Sequence, residues 1–235
     1  MNLNRPAVAV CAALIVAACS IGKPIPEATT YIIEPEPPTS MTTTRRAESM
    51  RMGDVRVAGS FSGNGLVYRM NDVQYVSDPY HAFIADPASM LGNSMASWLN
   101  RAGPFKAVAQ PGSAQSSKSV PYVLEATVTE LYGDFRPGVP AAAVMTIQFA
   151  LVDITSPRAV TAYDSTIGRR VEIAQASPDA LMRGYGKALT EILSQLSAEL
   201  ASLPASAAAR GSDLSDARAP SASPRQDLNP QSPGS

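Results

Sequence analysis

Cysteine is nearly absent from this chain of 235 residues, and both copies, Cys11 and Cys19, fall within the first twenty positions. A chain cut before Cys19 would keep a single cysteine, so no internal disulfide could form even in an oxidising compartment. Histidine is scarcer still: His81 stands alone. One histidine and no further thiol exclude the common zinc ligand sets, and no carboxylate spacing resembles a calcium loop. Charge of either sign is lacking too. The formal net charge is −1, only 17% of residues are charged and 6% are aromatic. No basic stripe with interleaved aromatics exists to draw in nucleic acid, which excludes that class of partner. No internal repeat is present.

Catalytic patterns are missing as well. The glycines of Gly59-Ser-Phe-Ser-Gly63 frame a phenylalanine where a nucleophile elbow needs serine. Gly59 to Gly65 fit neither a P-loop nor a dinucleotide fingerprint and read as hairpin glycines. Glu125 and Glu130 are five apart on one expected strand, so they should point to opposite faces, which argues against a paired-carboxylate site. His81 sits in Asp78-Pro-Tyr-His-Ala-Phe83, where Asp78 could orient it with Ser77 or a tyrosine nearby. A loop histidine making a structural hydrogen bond is the reading its context favours. No catalytic, cofactor or metal residue is assigned.

What is present begins at the amino terminus. Arg5 and the free amine precede an uncharged run from Pro6 to Ala18. That run suits the hydrophobic part of a secretory signal better than a membrane span, which needs about 20 apolar residues. It ends in Val16-Ala-Ala-Cys19, which resembles the lipobox of bacterial lipoproteins. Residues 1–18 are therefore expected to be a signal peptide, with palmitate-type lipidation on Cys19. A single acyl chain holds a protein only marginally, whereas two or three hold it stably. Ser20 follows, and by resemblance to enteric sorting rules the absence of aspartate there favours the periplasmic face of a Gram-negative outer membrane.

Residues 19–52 are rich in Pro, Thr and Glu and read as a linker, with Tyr31-Ile-Ile33 as a possible edge strand. Residues 53–203 read as one domain. Short strands are expected at Val55–Val57, Gly65–Arg69 and Val73–Val76, with turns at Gly63-Asn-Gly65 and Asn71-Asp72. A helix should start at Pro87 behind Asp86 as its N-cap, carry Leu91, Met95, Trp98, Leu99 and Ala102 on one stripe, and stop at Gly103-Pro104. Phe105–Val108 should return as a strand. Tyr122–Val128, Ala143–Leu151 and Val160–Val171 suggest an antiparallel meander. A second helix should run from Ser177-Pro178 to Pro204, and both apolar stripes read as core. Residues 204–235 hold almost no large apolar side chain and are expected to be disordered. The fold class that follows is α+β: two layers, a mostly antiparallel sheet with two main helices packed on one face.

Several stretches then resemble the ABC-type transport auxiliary lipoproteins, the PqiC-like group. They are Tyr31-Ile-Ile-Glu-Pro35, Val67-Tyr-Arg69, Tyr80-His-Ala-Phe83, Pro87-Ala-Ser-Met-Leu91, Ser97 through Phe105, Tyr122-Val-Leu-Glu125 and Ala188 through Leu193. The resemblance spans roughly residues 13 to 203. Where many members carry a tryptophan before the first helix, the nearest match here is Phe83. The resemblance implies a non-enzymatic accessory lipoprotein beside an ATPase–permease pair and an MCE-type periplasmic protein, moving lipids or other hydrophobic molecules, with a homo-oligomer possible. A lipopolysaccharide-assembly lipoprotein partnering a β-barrel, or a hydrolase relying on His81, are the readings it competes with.

Overall fold

A computed structural model describes residues 27–38, 45–112, 120–155 and 157–204. The expected signal peptide, Cys19 and nearly all of the expected tail lie outside these residues.

Ten elements appear in chain order: β1 (Thr29–Tyr31), β2 (Met50–Val57), β3 (Gly65–Arg69), β4 (Tyr75–Phe83), α1 (Pro87–Ala102), β5 (Val108–Ala109), β6 (Tyr122–Asp134), β7 (Ala142–Asp153), β8 (Val160–Glu172) and α2 (Pro178–Ala201). The fold is α+β, a mixed, mostly antiparallel sheet of eight strands with both helices on one face.

Local chemistry explains the helices. The Asp86 carboxylate accepts the Ser89 N–H, Pro87 opens the first turn, and the Gly103 N–H closes on the Leu99 carbonyl. Ser177 and Pro178 repeat the arrangement for α2, with the Ser177 hydroxyl accepting the Ala180 N–H. Leu91, Met95, Trp98, Leu99 and Ala102 are buried, as are Met182, Tyr185, Leu189, Ile192, Leu196 and Leu200. Across from them, Leu124, Ala126 and Val128 of β6 and Met145, Ile147, Phe149 and Leu151 of β7 supply the sheet side of one continuous core.

The sheet is built around β6. Its one edge pairs antiparallel with β7, which pairs antiparallel with β8, so the expected meander is present. Its other edge is shared. The amino-terminal half of β6 receives β2 in parallel, and its end receives β3 in parallel through Tyr68 opposite Gly133. β3 and β4 form a hairpin whose turn is Asn71-Asp72, as expected. The same edge of β6 therefore holds two strands that never pair with each other.

That arrangement corrects three expectations. Gly59 to Gly65 are not hairpin glycines: a single 3-10 turn at Gly59–Phe61 carries the chain from β2 to β3. A tight hairpin of the primed type needs positive φ, and among described residues only Gly112 and Gly138 have it. The strand expected at Phe105–Val108 shrinks to Val108–Ala109, with Phe105 packed in the core instead.

The third correction concerns Glu125 and Glu130. One extra residue in β6, between Val128 and Glu130, forms a bulge against β7. Glu125 lies opposite Ala150 and Glu130 opposite Thr146, so the two carboxylates share a face after all. They stand four register positions apart, about 13 Å along a strand. The separation is too long for a shared proton, so the carboxylates form no pair.

Candidate functional site

Two sets of side chains connect the leader to the domain. The first is a strap. After β1, residues 32–37 run along the two helices rather than away from the domain. The Ile33 side chain is fully buried in the core. The Ser94 hydroxyl of α1 donates to the Ile33 carbonyl at 3.2 Å, and the Trp98 indole N–H donates to the Glu36 carbonyl at 3.0 Å. From the other helix, the Thr190 hydroxyl accepts the Glu36 N–H at 2.7 Å. Gly186 makes room for this path, because a Cβ there would lie 2.5 Å from the Glu34 carbonyl oxygen.

The chain is pinned again before β2. Arg45 donates to the Arg101 carbonyl at 2.7 Å, at the end of α1. Arg46 donates to the carbonyls of Leu203 at 2.6 Å and Pro204 at 2.9 Å, past the end of α2, while its guanidinium lies 5.5 Å from the Phe105 ring centroid. Helix ends leave carbonyls without partners, and a cation there satisfies them and opposes the dipole. Sequence reasoning placed Arg45 and Arg46 in the linker. The signal available was a pair of arginines immediately before a strand, which by itself names no partner.

The second set surrounds His81. It lies on β4, not in a loop, because the strand runs on through Pro79 to Phe83. A large irregularity between β3 and β4 accommodates that proline. The Asp78 Oδ1 accepts the N–H groups of Tyr80 at 2.8 Å and His81 at 3.1 Å. Its Oδ2 lies 2.7 Å from the His81 Nδ1 and accepts the Tyr68 hydroxyl at 2.9 Å. Tyr31 of β1 completes the corner, its ring centroid 6.0 Å from that of His81.

Burial pushes the Asp78 carboxyl up, but its four hydrogen bonds outweigh that and hold it below the usual range. Burial and the Asp78 charge both push the Tyr68 phenol up, so it stays protonated. Ser77, the nucleophile one could imagine, adjoins Asp78 on the strand, and its hydroxyl packs where a Gly65 side chain would be. The structure thus joins His81, Asp78 and a tyrosine but brings no serine to the histidine. A protonated tyrosine already donating to a carboxylate is a poor nucleophile. The corner is a clasp tying β1, β3 and β4 together.

The cleft between strap and α1 has a volume of about 610 Å³ and is lined by Glu34, Asn93, Ser94, Ser97 and Arg101, besides Pro35 and Pro37. Among the described residues no group of three or more His, Cys, Asp or Glu could hold a metal ion, and no helix is long and apolar enough to cross a membrane.

The site is thus a two-layer domain whose own amino-terminal segment is packed along both helices. The family of ABC-type transport auxiliary lipoprotein components matches residues 31–201, and the chain belongs to that family. The match begins at Tyr31, where the strap starts. The family comprises transport auxiliaries and is not an enzyme family. Among solved structures, protein XCC0632 from Xanthomonas campestris, a DUF330 protein, is similar with a TM-score of 0.60 and 15% identity, covering 72% of this chain and 92% of that one. A second crystal structure, of an uncharacterized protein, matches with a TM-score of 0.50 and 19% identity, covering 74% of this chain and 97% of the other. At these identities the likeness concerns the fold alone. No curated protein sequence matches significantly.

Proposed function

We propose that this chain is a lipid-anchored accessory subunit of an ABC/MCE-type transporter that moves lipids or other hydrophobic molecules across a Gram-negative envelope. In this reading Cys19 carries the acyl groups and holds the domain at the periplasmic face of the outer membrane. Residues 53–203, together with the strap and the start of β2, form the docking domain. The domain takes no part in chemistry. It gives the transporter's periplasmic subunits a fixed station beside the bilayer and raises their effective concentration there.

The observation that carries this reading is the strap. Seven residues separate Cys19 from Glu27, so the eight steps between them reach at most roughly 29 Å even fully extended. From β1 onward the leader is held by Ile33, Ser94, Trp98 and Thr190. A pull on the anchor is therefore delivered to the core instead of to a loose linker.

Copurification of the tagged, lipidated protein after cross-linking in intact cells tests the partner. Recovery of an ATPase, permease or MCE-type subunit is expected; recovery of a β-barrel assembly protein instead would overturn it. Palmitate labelling tests the anchor, with label expected in the natural chain and lost in Cys19→Ser.

A further inference from the structure

Strand β8 leaves one long sheet edge open. It spans Val160–Glu172 and, among the described residues, pairs only with β7. At the far side of the sheet, β1 and β5 have three and two residues, the short lengths with which proteins protect an edge. β8 has neither that protection nor a proline. Its register against β7 is broken only near its start, where Tyr163 faces Leu151 and Thr161 faces Val152. The regular stretch Tyr163–Val171 is centred on Ile167.

We infer that this edge recognises a second copy of the chain, the two β8 strands pairing antiparallel about a two-fold axis at Ile167. The argument is one of charge and face. A two-fold axis normal to the sheet pairs residues equally far from the centre, and paired side chains must share a face, so the centre falls on a residue. On the outer face, a centre at Ile167 sets Asp164 opposite Arg170, and symmetry repeats the pair. On the helix side it sets Tyr163 against Val171, Ser165 against Arg169, and Ile167 against its copy.

The neighbouring registers fail. A centre at Gly168 sets Asp164 against Glu172, two like charges. A centre at Thr166 sets Asp164 against Gly168 and Arg170 against Ala162, which offers no charge pair.

The side chains are also placed for it. Asp164 is exposed. The Arg170 guanidinium is held on the outer face by the Pro140 carbonyl at 2.7 Å and Asp134 at 3.3 Å, with Glu172 at 4.0 Å. A guanidinium carries five N–H donors, so donors remain for a partner. On the other face Arg169 is drawn onto α2 by Glu191 at 3.4 Å and by Gln195, and it also donates to the Gly168 carbonyl of β8 at 2.7 Å, a hydrogen bond that the second copy's strand would replace.

The test is sedimentation equilibrium of the full lipidated chain in detergent, with Asp164→Arg and Asp164→Arg/Arg170→Asp beside it. A dimer is expected for the natural chain. Asp164→Arg should raise its dissociation constant about tenfold or more, the scale on which like charges oppose association, and the double variant should restore it. Because Arg170 also serves Asp134, hydrogen exchange on the natural chain supplies a second measure. Amides of residues 163–171 should gain protection as concentration rises, while those of β1 should not. A monomer at every concentration, an assembly indifferent to Asp164→Arg, or protection independent of concentration would each overturn the proposal.

Discussion

The Arg46 guanidinium and the Leu203 carbonyl meet at 2.6 Å across 157 residues of sequence. This contact joins the last residues before β2 to the end of α2. Since Arg46 also reaches Pro204 and lies over Phe105, one side chain ties the approach to β2 to the end of α2. Replacing it by alanine strips charge-assisted hydrogen bonds from partly buried carbonyls, a loss of about 2–3 kcal/mol. Urea unfolding of Arg46→Ala should show that drop, and Arg46→Lys should recover only part of it, since one ammonium cannot fork between Leu203 and Pro204.

Gly186→Ala offers a sharper test of the strap. Alanine favours the helix by about 1 kcal/mol relative to glycine. Its Cβ, however, would sit 2.5 Å from the Glu34 carbonyl oxygen, a backbone atom that moves only with the strap. Overpacking of this kind costs typically 1–3 kcal/mol, so steric cost wins and the variant should be less stable. Hydrogen exchange should show the Glu36 amide, now held by Thr190, losing protection first.

The outer end of the sheet should set acid stability. Asp134 accepts two hydrogen bonds from the Arg136 guanidinium, both 2.9 Å, one from the Arg136 backbone N–H at 3.5 Å and one from Arg170 at 3.3 Å. The Arg136 guanidinium beside it, chiefly, holds its carboxyl down to about 2 against burial. A carboxyl with a lowered folded-state pKa stabilises the fold above its unfolded value near 4, and that contribution disappears as pH falls toward 2. It amounts to up to about 2 kcal/mol. Asp134→Asn should therefore flatten the decline in melting temperature between pH 4 and pH 2. An unchanged slope would show that other carboxylates control it.

His81 and Asp78 should separate clearly. Asp78→Ala leaves two strand N–H groups and the Tyr68 hydroxyl without their acceptor, costing on the order of 2–3 kcal/mol. His81→Ala removes one of four hydrogen-bond partners of the part-buried Asp78 carboxylate and leaves the other three in place, so the loss should stay near about 1 kcal/mol. Envelope phenotypes should follow stability: His81→Ala should complement a deletion strain fully. Failure to complement at normal protein levels would revive a chemical role for the histidine.

Much of this fold was legible in the sequence. Asp86-Pro87 and Ser177-Pro178 announce both helix starts, and the apolar spacing of Leu91 through Ala102 and Met182 through Leu200 predicts the buried stripe. Alternation in β6 and β7 predicts the meander. The site was less legible. Asp78 was identified as a partner for His81, yet Tyr68 and Tyr31, from two other strands, were not, and β4 was read as ending before the histidine. The bulge that brings Glu125 and Glu130 onto one face defeats parity counting, because a single extra residue reverses every side chain beyond it.

By itself, then, the sequence determined the helix boundaries, the meander and the faces the helices bury. Caps and periodicity depend on residues within about four positions of each other, so the information is local. Only the tertiary structure decided that β2 and β3 share one edge of β6, that the strap lies along the helices, and that Arg46 closes the end of α2. Those contacts join residues that are neighbours only after the core has formed, and their energies come from filling a groove or satisfying a helix end that no local pattern describes.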